Sequence, residues 1–217
     1  CGTGVVALTA SRQGVEVEGI DLTPELISRA IENSKIMGLK AKFVEGDAEC
    51  LPYKENEFDV ILSQYGHMFA PRPSVVVKEL VRVLKPGGIL AFSTWPKELF
   101  MGKFFKLIES FSQPLPPEIA SPVLWGDMAV IEDRLRDHFD HIEFARDTMF
   151  APTMSPAHML KLFEKNAGPL ANLVKALADD PAKLSNLRNA ALLLIEKFFS
   201  NNFLRQDFLM TRCVKKT

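Results

Sequence analysis

The sequence predicts an α/β protein built on a doubly wound, mostly parallel sheet, and three observations carry that prediction. Segments with strand periodicity alternate with amphipathic helical segments over residues 1–95, the pattern of βα units joined by right-handed crossovers. Phe58–Gln64 (FDVILSQ) is an almost unbroken apolar run, as in parallel strands covered by helices on both faces. Breakers stand between these segments, at Gly14, Gly38, Gly46 and the run Lys85-Pro86-Gly87-Gly88. A chain of 217 residues, 47% hydrophobic and 24% charged, has the composition of a globular domain with a sizeable core.

The elements follow in order. Cys1-Gly2-Thr3-Gly4 is a glycine turn of the kind that leaves a strand and opens a helix, here Val5–Ser11, so a feeding strand is expected upstream of Cys1. Val15–Ile20 alternates apolar and acidic residues as a strand does, and Asp21 closes it. Thr23 then serves as N-cap and Pro24 as first helical residue of a helix running to about Met37, with Gly38 as its stop. Ala41–Glu45 is a short strand that turns out through Gly46-Asp47-Ala48. After the apolar strand Phe58–Gln64, the spacing predicts a helix over Ser74–Leu84, ended by the Lys-Pro-Gly-Gly run, and a strand over Ile89–Thr94. Beyond Trp95 the alternation breaks. Leu99–Phe111 is a Phe-rich helix followed by Pro114-Leu115-Pro116-Pro117, which reads as an insertion. Met128–His138 is a helix and Ile142–Met149 a strand; Ser155–Phe199 holds two or three helices, punctuated by Gly168-Pro169 and Asp179-Asp180-Pro181. Phe203–Val214 closes the chain as a strand, expected to return antiparallel at the sheet edge.

Charge and cysteine usage narrow the function classes. With 26 basic against 27 acidic residues the net charge is −1, so no electrostatic footprint for nucleic acid is present. Cysteines at positions 1, 50 and 213 show no metal or disulfide spacing, which makes a reducing, cytoplasmic setting the expectation and predicts no metal. No apolar run reaches the roughly 18 residues of a membrane span.

The chemistry concentrates near the first three turns. Gly2 and Gly4 let backbone approach a ligand, and the helix behind them presents N–H groups to an anionic or carboxylate group. Asp21, 17 residues beyond Gly4 at the end of the next strand, faces the same crevice and suits two ribose hydroxyls, unless it is only a helix-entry charge. Gly2-x-Gly4-x-x-Ala7 also satisfies the nicotinamide-dinucleotide fingerprint, so these residues alone leave a dehydrogenase open. Asp47 places a second carboxylate at the end of the following strand, able to accept from an adenine amine or, alternatively, to close an Asx turn.

Four segments, Cys1-Gly2-Thr3-Gly4, Gly19-Ile20-Asp21, Gly46-Asp47-Ala48-Glu49-Cys50-Leu51-Pro52 and Arg82-Val83-Leu84-Lys85-Pro86-Gly87-Gly88, stand in an order and spacing that covers residues 1 to about 95. In these the chain resembles the class I S-adenosylmethionine-dependent methyltransferases, in the small-molecule branch of methyltransferase type 11 and the ubiquinone/menaquinone biosynthesis enzymes. Weaker similarity continues through Ser121–Gly126 and Gly168-Pro169-Leu170. The resemblance implies a Rossmann-like sheet with an antiparallel last strand, and S-adenosylmethionine as cofactor, leaving as S-adenosylhomocysteine. By that resemblance Cys1, Gly2, Thr3 and Gly4 line the methionine end, Asp21 and Leu22 the ribose, Asp47 and Ala48 the adenine, and Gln64 and Tyr65 the sulfonium edge. It implies one domain, with residues 1–95 binding the cofactor, 96–126 and 151–200 forming helical insertions over the substrate, and 127–150 and 201–217 completing the sheet. It also places the strand expected before Cys1 at the middle of that sheet, so residues 1–217 are expected not to fold alone. Arg72 departs from relatives, which often carry Asp there.

In-line displacement at a sulfonium needs alignment and exclusion of water, with no oxyanion hole. Where the nucleophile carries a proton, His67 is the candidate base, against the alternative of a helix-entry histidine bonded to backbone; His138, His141 and His158 read as surface or capping residues. Phe100, Phe104, Phe105, Phe111 and Trp125 either wall an apolar acceptor pocket or form plain core. The expected partner is a small molecule of aromatic, quinone-like or lipid-like character, and a homodimer stays open. A noncatalytic cofactor-binding protein on the same fold is the other reading.

Overall fold

In a computed structural model, which describes residues 1–217 apart from 115, 117 and 118, the chain falls into two compact units. Two residues of the Pro-rich insertion, Leu115 and Pro117, therefore lie outside the described residues.

The first unit comprises Cys1–Thr94, Ala129–Phe144 and Met210–Thr217. Helix α1 (Val5–Ser11) starts at Gly4, whose φ of 89° is left-handed, and a Cβ there would sit 3.1 Å from the Phe43 ring, so both backbone and space require glycine. Strand β1 spans Glu18–Asp21; Val15 and Glu16, predicted as its start, stay exposed outside the ladder. Helix α2 (Pro24–Met37) has Pro24 in its first turn and ends on Gly38 at φ 62°, as the sequence requires. Strand β2 (Lys42–Glu45) pairs in parallel with β1, Asp21 opposite Glu45, and Ala7, Leu8, Ile27, Ala30 and Phe43 make the core of this βα layer.

Strand β3 (Phe58–Gln64) lies parallel to β4 (Leu84–Thr94), and α3 (Pro73–Val83) crosses between them, burying Val76, Val77, Leu80 and Val83. The second sheet has the order β3, β4, β7, β5, where β5 is Phe139–Pro152 and β7 is Phe203–Lys215. Helix α5 (Met128–Leu135) leads into β5.

Three expectations are corrected here. The Lys-Pro-Gly-Gly run lies inside β4: Phe58 faces Leu84 and Val60 faces Ile89, so the extra residues bulge out where Pro86 offers no N–H and Gly87 takes a φ of 75°. Strand β3 is covered less than its apolar run implied, with Val60 and Leu62 48% and 49% exposed. Among the described residues β3 pairs only with β4, and β1 only with β2, so each keeps an edge unpaired. The closing strand is interior, between β4 and β5. Its burial fits that place, since Leu204, Gln206, Asp207, Leu209, Thr211 and Cys213 are all buried, positions on both faces of the strand.

The second unit comprises Trp95–Met128 and Ala145–Leu209. It holds α4 (Phe100–Phe111), α6 (Pro156–Asn166), α7 (Gly168–Ala176) and α8 (Pro181–Glu196), three helices being the count over the Ser155–Phe199 stretch. Asp180 caps α8 by accepting the Lys183 amide at 2.9 Å. Strand β6 (Phe199–Ser200) turns into β7 through Asn201 and Asn202, both at positive φ, the geometry of a tight hairpin. The core of this unit gathers Phe100, Phe104, Ile108, Leu170, Leu187 and Ile195, with the Phe104 and Phe163 rings 5.0 Å apart. Phe100, Phe104, Phe105 and Trp125 are fully packed, so they form core and leave no face for a ligand. Phe111 is half-buried and lines a cleft of about 560 Å³ with Leu173, Leu177 and Lys183.

Candidate functional site

The carboxyl ends of β1 and β2 bring together three segments that are far apart in sequence, which is where open α/β sheets bind ligands. Asp21 is the hub. Its Oδ2 accepts the Gly2 amide at 2.8 Å and its Oδ1 accepts the Thr23 amide at 3.0 Å. Burial raises the Asp21 carboxyl, and donation from the Gly2 and Thr23 amides lowers it. A carboxylate offers about four lone-pair positions, so these two amides leave acceptor capacity for a ligand. Thr23 itself starts α2 without a side-chain cap bond, and its own amide is held by Asp21.

The Asp21 carbonyl accepts the Gly46 amide at 2.9 Å and ties the end of β2 to the same place. A Cβ on Gly46 would stand 2.6 Å from Ile20 Cδ1, so a side chain there would require Ile20 to shift. Asp47, an exposed residue, accepts the Glu49 amide on Oδ1 at 2.8 Å, closing the Asx turn that the sequence left open. Ala48 is half-buried beside it, and Leu22, 67% exposed, stands next to Asp21. Thr3 contributes its carbonyl to the Asn33 amide at 3.0 Å.

The β3 end carries the remaining predicted residues. Gln64 is exposed and lies opposite Ser93 in the ladder. Tyr65 follows at a φ of 62°, left-handed for a bulky residue, with its amide bonded to the Ser93 carbonyl at 3.1 Å and its phenol pushed up by burial. His67 turns inward. It is 5% exposed, its Nδ1 lies 2.8 Å from Ser63 Oγ, and its ring meets Phe92 edge-on at 4.5 Å between centroids. Burial, with the Arg134 charge added, pushes its pKa down to about 3. Such a ring stays neutral, whereas the expected base needs reach to an acceptor and a pKa near the working pH.

Three further contributors went unread. Ser63 is one polar position in an apolar strand. Glu49 and Arg82 lie in quoted motifs, yet only the fold shows which atoms they tie. Among the described residues no group of three His, Cys, Asp or Glu is placed to hold a metal ion, and no helix is long and apolar enough to cross a membrane.

Residues 1–92 match a family described as methyltransferase domain. Over 210 residues the chain is 31% identical to an uncharacterized protein of Mycobacterium tuberculosis, covering 96% of this chain and 77% of that protein. Over 96 residues, 44% of this chain and 30% of the relative, it is 38% identical to the 2-methyl-6-phytyl-1,4-hydroquinone methyltransferase of Synechocystis. Among solved structures, phosphoethanolamine N-methyltransferase 2 of Haemonchus contortus, in complex with phosphomonomethylethanolamine and S-adenosylhomocysteine, shares the fold. Its TM-score is 0.60 at 17% identity, over 100% of this chain and 47% of that one. The methyltransferase-domain match falls on the segment holding the glycine turn and both carboxylates, and the mycobacterial likeness extends along almost the whole chain. Residues 1–92 of the chain thus belong to the methyltransferase-domain family.

Proposed function

We propose that S-adenosylmethionine lies across the ends of β1 and β2, with its ribose on Asp21, its adenine amine on Asp47 and its methionine end along Cys1–Gly4. The observation that carries this is the direct bond from the Gly2 amide to Asp21, which joins the glycine turn and the ribose acceptor into one rigid corner. The donor set fits the group: the Asp21 and Asp47 carboxylates keep acceptor positions beyond those the Gly2, Thr23 and Glu49 amides take, and these accept from hydroxyl and amine hydrogens. When bound, the cofactor supplies an electrophilic methyl on a positively charged sulfur. The chain's own part is to hold it in line and exclude water, with Gln64 and Tyr65 at the β3 end facing the acceptor. We infer an aromatic or quinone-like acceptor, a reading supported by the likeness of the N-terminal part to a hydroquinone methyltransferase. His67 is read as the residue that fixes the turn after β3 through Ser63, and no proton transfer is assigned to it. Cysteine usage favours a cytoplasmic setting.

Calorimetry of the full-length protein with S-adenosylhomocysteine tests the reading. Micromolar-range binding that weakens by about tenfold or more in Asp21→Ala, the loss of a charge-assisted bond, is expected. Undetectable binding in the wild type, or tighter binding of a nicotinamide dinucleotide, overturns it. Formation of S-adenosylhomocysteine in a screen of quinone and phenolic acceptors then names the substrate.

A further inference from the structure

The segment from Gly46 to Tyr53 has almost no regular structure, yet it carries the carboxylate assigned to the adenine. What fixes it is a pair of ionic clamps from α3. At its first end, the Glu49 carboxylate, whose side chain is only 4% exposed, accepts the Arg72 amide at 2.6 Å and the Arg72 guanidinium at 2.7 Å. At its second end, Arg82 donates to the Tyr53 carbonyl at 2.6 Å and the Leu51 carbonyl at 2.9 Å, while Glu79 holds the Arg82 fork and accepts the Leu51 amide at 2.7 Å. Asp47 sits two residues before Glu49, joined to it by the Asx-turn bond. A shift of Glu49 is therefore a shift of Asp47.

We infer that Arg72 and Glu49, with Arg82 and Glu79 behind them, are positioning residues that set the Asp47 carboxylate for recognition of the adenine amine. The inference rests on the assignment of Asp47 made above and adds residues that touch no part of the cofactor. Breaking the first clamp leaves a buried carboxylate without its cation and lets the turn move, which costs discrimination between bases more than overall affinity. Arg72 being largely exposed, its replacement removes an orienting bond and little packing.

The test compares S-adenosylhomocysteine with S-inosylhomocysteine, in which the amine becomes a carbonyl, by calorimetry on the full-length protein. Wild type is expected to prefer the adenine compound by tenfold or more. Arg72→Gln and Glu49→Gln are expected to reduce that preference to about two- to threefold, with Arg72→Lys between, and Asp47→Asn combined with Arg72→Gln to lose no more than Asp47→Asn alone. Thermal melts identify a variant that has not folded, and Arg82→Gln then reports on the other clamp. A preference unchanged in folded variants, multiplicative losses in the double variant, or a wild type that binds both compounds equally overturns the inference. A wild type that binds neither compound overturns the cofactor assignment instead.

Discussion

His67 gives the sharpest prediction because its burial converts into a slope. In the unfolded chain an imidazole titrates near 6.5; in the fold burial lowers it to about 3. The unfolded state therefore binds more protons between these values, so the stability contributed by the neutral ring is complete above pH 6.5 and is lost as pH falls toward 3. Between pH 7.5 and pH 5 the loss from this one group is about 2 kcal/mol, at about 1.4 kcal/mol per pH unit below 6.5. Asp21, Glu79 and Asp207, whose carboxyls are also held low, weaken the fold in the same direction, but only once pH approaches the ordinary carboxylate range near 4. The perturbation is His67→Asn, which keeps a hydrogen-bonding group toward Ser63 and removes the titration. Urea unfolding of the full-length protein, followed by Trp fluorescence from pH 5 to 7.5, is the assay. The variant is expected to be less stable at pH 7.5, through lost contact with Phe92, and to show a flatter decline to pH 5 by about 2 kcal/mol. His138, His141 and His158 are present in both proteins and cancel in the difference. Parallel curves would show that the ring takes up its proton in the folded state, as a solvent-accessible base would, and would refute the reasoning.

Gly4→Ala forces a Cβ against the Phe43 ring at a left-handed φ and is expected to cost about 1–3 kcal/mol, read as a lower urea midpoint with unchanged m; a neutral result removes the tight-turn argument. Asp180→Ala removes the cap bond to the Lys183 amide and is expected to cost about 1 kcal/mol, measured the same way. The free edges on β1 and β3 and the exposed Val60 and Leu62 are expected to make the chain self-associate as concentration rises. Light scattering decides that, Val60→Lys should reduce it, and a monodisperse, cooperatively melting wild type would contradict it.

Elements set by local chemistry were legible in the sequence. Pro24 and Gly38 bracket α2, the helix breaks at Gly168-Pro169 and Asp180-Pro181 fall where they were read, and β3 has its predicted bounds. What failed depended on neighbours distant in sequence. An apolar run such as Val60-Ile61-Leu62 says that a strand can be covered on both faces, and pairing decides whether it is. The place of β7 inside the sheet is likewise a matter of long-range pairing. Its burial, which alternates on either side of the adjacent buried pair Gln206 and Asp207, is compatible with either place until β5 is seen at the edge. The aromatic spacing over Phe100–Phe105 satisfies a core helix and a pocket wall equally, because both need one apolar face. The burial of His67 had one trace in sequence, Ser63 four residues earlier at the end of β3, and a single serine does not disclose that its hydroxyl faces inward.

Much of what makes the motifs of the first unit recognisable is the work of holding the chain to itself. Asp21 gives about two of its four acceptor positions to Gly2 and Thr23, and Asp47 gives one oxygen to Glu49. Arg82 spends its fork on Glu79 and its remaining donors on Leu51 and Tyr53, and none of these atoms touches a ligand. A carboxylate that orients backbone amides is itself oriented by them, so the lone pairs it has left have a set direction and need little rearrangement when a hydroxyl or amine arrives. The same residues thus serve the fold and the site through one set of bonds. That coupling explains why spacing between glycines and carboxylates carried so much information in the first unit. In the second unit the helices are joined mainly by interchangeable apolar contacts, which specify a core without specifying what the unit binds.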